Sequence, residues 1–261
     1  MPLFYKYYAG NIVDVSTLKE TFKELSYYGI KETFVYLDAG FYSKDNIIEL
    51  YENKINFLTR LPSITKQYKI LVNQYFKEIE KQENMVKYGK RLLFVKKVKI
   101  YLHENEGYAY LIIDPERKGR ETKNLGMKII GEDISEETKY ALKTRGLMIL
   151  ISSSKLTKEE VVPSFYVRQS AEKMFGFSKD DLGILPLNVH KQETLSGFLF
   201  IQFITLCFFM RIKKILDKDY TVEEALIILR NLKCKVFDDE IIVCEKTKQQ
   251  KEIFHKLSID A

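Results

Sequence analysis

The sequence predicts a mixed α/β fold, a sheet flanked by helices and interrupted by a β-rich insertion. Three observations carry this. Residues 1–61 alternate aromatic or β-branched runs with segments of helical period. Residues 62–146 hold strand-like runs and a charge excess of their own. Leu147–Ser152 (LMILIS) then returns as an unbroken apolar run of strand length.

The elements follow in order. Leu3–Tyr8 (LFYKYY) reads as a strand, Gly10 and Asn11 as a turn, and Asp14 as a helix N-cap. Val15, Leu18, Phe22, Leu25 and Tyr28 recur at helical spacing, and Gly29 ends that helix. Thr33–Leu37 (TFVYL) reads as a buried central strand with Asp38 at its carboxyl edge, where α/β sheets place active sites. Asp38 before Ala39–Gly40 also fits a plain turn opening. Ser43 caps a helix to about Tyr51, and Ile55–Leu61 is another strand.

Beyond Pro62 the pattern predicts a helix over 64–81 and strands over 92–102 and 108–113, joined through a turn at Asn105–Gly107. Asp114–Asn124 (DPERKGRETKN) reads as a charged loop, and 133–145 as a short helix. After Leu147–Ser152, Thr157 and Glu160 form a capping box that opens a helix to about Lys179, with Pro163 predicting a kink or delayed start. Helices over Gln192–Leu216 and Val222–Leu232, a hairpin over Val236–Cys244 and a charged helix complete the chain. The resulting division is 1–61, a basic insertion at 62–146, 147–216 with the helix bearing Glu172, and a C-terminal extension at 217–261.

Composition narrows the function. The 261 residues are 46% hydrophobic and carry a formal charge of +6. Residues 62–146 hold 18 Lys/Arg and 12 Asp/Glu, which accounts for the whole excess (18 − 12 = 6). A module basic in this way suits a polyanion, most simply DNA, although a solvated lysine-rich surface looks the same. Three cysteines without CxxC spacing and three scattered histidines argue against a disulfide framework and a Cys/His metal site, and fit a reducing cytoplasm. Phe198–Met210 is apolar but short of the roughly 20 residues of a membrane span, so it reads as a buried core helix and no membrane is expected.

The chemistry-bearing feature is the helix near 165–179. Phe165, Arg168, Glu172, Phe175 and Lys179 recur every three or four residues and share one face. Arg168 and Glu172 also read as a surface i, i+4 pair worth about 0.3–0.5 kcal/mol. The aromatic residues on the same stripe argue that it faces inward, where charges need a purpose.

Three stretches resemble the catalytic domain of insertion-sequence DDE transposases, a ribonuclease-H-like fold with a β-rich insert. They are Tyr7–Asp14 (YYAGNIVD), Leu37–Ser43 (LDAGFYS) and Tyr166–Lys179 (YVRQSAEKMFGFSK), the last similar to the family signature Tyr-x2-Arg-x3-Glu-x6-Lys. The signature's Tyr belongs at position 165, which is Phe165, and Tyr166 comes one residue later. The resemblance implies cutting of DNA and joining of a 3′-hydroxyl to a target at a site of three carboxylates and two Mg²⁺. Asp38 and Glu172 would be catalytic metal ligands, and Arg168, Lys179 and Tyr166 would contact DNA phosphates. It also implies a first catalytic Asp on a strand upstream of the aromatic strand. The chain is therefore expected to lack the fold's N-terminal strands and to be a C-terminal portion inactive alone. Its partners would be transposon-end and target DNA, with room for a homodimer or a chain supplying the N-terminal half, in a cytoplasmic, nucleoid-associated setting. The competing expectation is a non-catalytic DNA-binding or regulatory protein derived from a transposase.

Overall fold

The structure is a computed structural model describing residues 5–8, 14–29, 34–131, 133–167, 191–217, 219–238 and 240–259. The chain divides into two compact units, Tyr8–Glu172 on one hand and Met1–Tyr7 with Lys173–Ala261 on the other.

The first unit is a mixed sheet with helices on its faces. Its elements are α1 (Asp14–Tyr27), β1 (Phe34–Leu37), α2 (Lys44–Glu52), β2 (Asn56–Arg60), α3 (Lys66–Ile79), β3 (Met85–Tyr88), β4 (Arg91–Leu102), β5 (Asn105–Ile113), α4 (Pro115–Ile129), α5 (Glu136–Lys143), β6 (Leu147–Ser152) and α6 (Lys158–Tyr166). Among the described residues the sheet has six strands in the order β1-β2-β6-β5-β4-β3. β1 and β2 run parallel, and the other neighbours are antiparallel. The strands supplied by residues 62–146 thus lie in the same sheet as β1, β2 and β6.

Strand alternation sorts the core into two layers. One face packs Leu37, Phe57, Leu111, Ile113, Ile149 and Ile151 against Leu18, Ile47, Leu50, Leu71 and Val72 of α1, α2 and α3. The other packs Leu58, Val95, Tyr110, Ile112, Met148 and Leu150 against Val161, Val162 and Phe165 of α6. All six residues of β6 are buried, as the apolar run predicts.

Local chemistry sets the element ends. Gly29 leaves α1 with φ +74°, Ser43 Oγ accepts from Asn46 N to start α2, and α6 opens on the Thr157–Glu160 capping box.

Five expectations are corrected, the fifth being the buried apolar helix taken up with the second unit. β1 is an edge strand of the described sheet, not a central one, with β2 as its one neighbour. The β4–β5 turn is His103–Glu104, both at positive φ, because Asn105 already pairs with Leu102. Gly107 lies inside β5, where a Cβ would come within 3.0 Å of Leu102 Cδ1, the Ser152 carbonyl and Tyr51 Oη. Asp114–Asn124 is not a loop: Asp114 Oδ1 accepts from Glu116 N and Arg117 N, and Pro115 occupies the first turn of α4. The fourth correction falls near the start of the chain. The expected aromatic strand is described only at residues 5–8, which carry no regular structure, and its beginning lies outside the described residues.

The second unit contains α7 (Gln192–Leu216), α8 (Val222–Arg230), a hairpin of β7 (Cys234–Val236) and β8 (Ile241–Val243), and α9 (Lys248–Leu257). Its small core joins Leu216, Ala225 and Ile253. α7 was expected as a buried core helix. Among its described residues Leu216 alone is buried, and Phe200, Ile201 and Phe208 are more than half exposed. By length and hydropathy alone this 25-residue helix could cross a membrane. The shorter Phe198–Met210 window understates both its length and its apolar surface.

Candidate active site

Asp38 follows β1 in extended conformation and caps a single 3-10 turn, Ala39–Phe41, with its Oδ1 accepting from Ala39 N at 2.6 Å. Its carboxylate is exposed at the rim of the sheet. The backbone carbonyl of Asp38 accepts from Thr59 Oγ1 at 3.3 Å, and Thr59 is wholly buried. This bond ties the end of β1 to β2.

The β1–β2 register ends at Leu37 and Thr59, one residue before Asp38 and Arg60 in their strands. Alternation puts Tyr36, Asp38 and Leu58 on the sheet face that α6 covers in part. The Arg60 charge is felt by the hydroxyl of Tyr68, which belongs to the core layer on the other face.

α6 carries the sequence toward the Arg–Glu–Lys signature. Val161, Val162 and Phe165 seat it on the face of Asp38. Tyr166 is half-buried and stacks on Tyr88, with ring centroids 5.4 Å apart and planes at 19°. Tyr88 belongs to β3, at the opposite edge of the sheet from β1. Asp38 and Tyr166 thus share a face but not a neighbourhood. Arg168, Glu172, Phe175 and Lys179 lie outside the described residues.

The oxygen chemistry of Asp38 suits a hard cation such as Mg²⁺. Among the described residues no group of three or more His, Cys, Asp or Glu side chains converges as a metal site.

The described strands and helices define a mixed α/β fold of ribonuclease-H-like type with a carboxylate at the rim of its sheet. The profile of the Transposase DDE domain family matches residues 1–208, about four-fifths of the chain, and the chain belongs to that family. No curated protein and no solved structure matches it.

Proposed function

We propose that this transposase-family chain takes part in DNA cleavage and strand transfer, with Asp38 and Glu172 as metal-binding carboxylates. The observation that supports this most is the shared sheet face of Asp38 and α6, the helix whose sequence leads into Arg168-x3-Glu172-x6-Lys179. Two Mg²⁺ ions would supply activation of the attacking oxygen and stabilisation of the leaving oxygen. Asp38 and Glu172 hold negative charge for those ions. Arg168, Lys179 and Tyr166 grip phosphates and fix the DNA end.

Asp38 and Glu172 are two carboxylates where this chemistry draws on three. We therefore expect no strand transfer from the 261-residue chain by itself, and activity only with a partner, a second copy or another chain, that completes the set. The test is Mn²⁺ binding by calorimetry, on the chain and on Asp38→Asn and Glu172→Gln. Loss of a stoichiometric site in both variants is expected. Unchanged Mn²⁺ binding would sink the assignment. Salt-dependent DNA binding in EDTA, with no metal site at Asp38, would favour a non-catalytic DNA-binding derivative.

A further inference from the structure

Contacts within its own unit leave one stripe of α7 open. Ile212 and Leu216 join the small core with Ala225 of α8 and Ile253 of α9. The Tyr5 ring centroid lies 4.9 Å from that of Phe203, and the Tyr7 and Ser196 hydroxyls share a hydrogen bond of 2.8 Å. None of these residues belongs to the series Gly197, Ile201, Ile204, Phe208, Arg211 and Ile215. That series recurs at spacings of four and three along one face of the helix. Every member is exposed, Ile201 and Phe208 to 64%.

A stripe of this period is the seam that one helix offers to another. Its chemistry suits a partner of the same sequence running the other way. With Phe208 against the partner's Gly197, two-fold symmetry puts the partner's Phe208 against Gly197. The same register brings Ile201 to the partner's Ile204, and Arg211 within one residue of the partner's Glu193. Gly197 has open space where a Cβ would stand, with no atom within 4 Å. Glycine inside a helix is unfavourable, and here it leaves room for a ring. Glu193 is exposed like Arg211, and neither has an ion pair among the described residues.

The parallel arrangement fails on the same residues. It sets Arg211 against the partner's Arg211 and Glu193 against the partner's Glu193, and like charges so placed are repulsive. It also leaves Gly197 facing a second hollow. Lipid is the other cover open to an apolar helix of this length. It would have to take up Arg211 within the stripe and Gln202 near the helix centre, beside surfaces already packed on protein.

We infer that the chain forms an antiparallel homodimer through α7, with Phe208 of each copy seated on Gly197 of the other. This dimer does not depend on the DNA-acting reading; the stripe is the surface by which a second copy attaches.

The test is the mass of the full chain by sedimentation equilibrium across a wide range of concentration. Wild type is expected at twice the monomer mass. Phe208→Glu should raise the dissociation constant about tenfold or more, and its exposure keeps the fold, which far-UV circular dichroism checks. Gly197→Leu is the sharper variant. It favours the helix and adds apolar surface, so it strengthens any unspecific association. It also fills the seat of Phe208, and should weaken this dimer about tenfold. A wild type that stays monomeric overturns the inference. So does a dimer that both variants leave intact, or one that Gly197→Leu tightens. Wild type floating as a monomer with neutral phosphatidylcholine vesicles would give the stripe to lipid and overturn it too. None of these outcomes touches the DNA-acting reading.

Discussion

Thr59 Oγ1 donates to the main-chain carbonyl of Asp38 at 3.3 Å, from a side chain with no exposed surface. The candidate metal ligand is thus held through its backbone by a residue that never reaches solvent. The same carbonyl also accepts from Phe41 N at 3.1 Å, within the 3-10 turn that follows β1. Thr59→Val removes the donor and keeps the branched shape. We expect a loss of about 1 kcal/mol, read as a lower urea midpoint at unchanged slope. An unchanged midpoint would mean that the bond does not anchor the β1 terminus.

Alkaline stability should depend on the buried tyrosines. Burial pushes the hydroxyls of Tyr51, Tyr68 and Tyr110 up to about 12. In the unfolded chain they ionise near pH 10. Between about pH 10 and 12 the folded state therefore keeps protons that the unfolded state sheds, so stability is full below pH 10 and falls as pH rises through that window. Tyr110 Oη both donates to the Leu156 carbonyl at 2.9 Å and accepts from Leu156 N at 2.7 Å. Tyr110→Phe should lower stability at neutral pH by about 1–3 kcal/mol, through the unpaired Leu156 groups. It should also flatten the alkaline fall by at most about 1.4 kcal/mol per pH unit. Urea midpoints from pH 8 to 12 test both. A variant with the wild-type alkaline slope would show that Tyr110 ionises in the fold as freely as outside it.

Much of this architecture was legible because the local signals and the tertiary outcome agree. Leu147–Ser152 could only be a strand buried on both faces, and Thr157 with Glu160 could only open a helix. Asp114–Pro115 is equally explicit as a cap followed by a first-turn proline, although the charge density of Glu116–Lys123 is that of a solvated loop as much as of an exposed helix. What forms the cap is also tertiary, since Asp114 is buried and ion-paired with Arg91 of β4. Register is where reading by sequence stops. Nothing local places Leu37 beside Thr59, or Tyr108 beside Ser152, because both follow from which strands become neighbours. The edge position of β1 is likewise invisible from its own composition, which is aromatic and apolar like that of a central strand.

Asp38 caps a turn and is the metal ligand proposed above, and one substitution separates the two roles. As the cap of the Ala39–Phe41 turn it needs a side-chain oxygen to accept from Ala39 N, and Asn supplies one as well as Asp does. As a metal ligand it needs a negative charge, which Asn lacks. Asp38→Asn is therefore expected to leave the urea midpoint within about 0.5 kcal/mol of wild type, the ordinary range for a surface change. The same variant should lose its Mn²⁺ site. Asp38→Ala should lose that site and in addition about 1 kcal/mol of stability with the cap. A large destabilisation by Asn would show that the carboxylate charge works for the fold. In that case the exposed carboxylate at the rim of β1 would be a structural group, and the case for a metal at this sheet edge would fall with it.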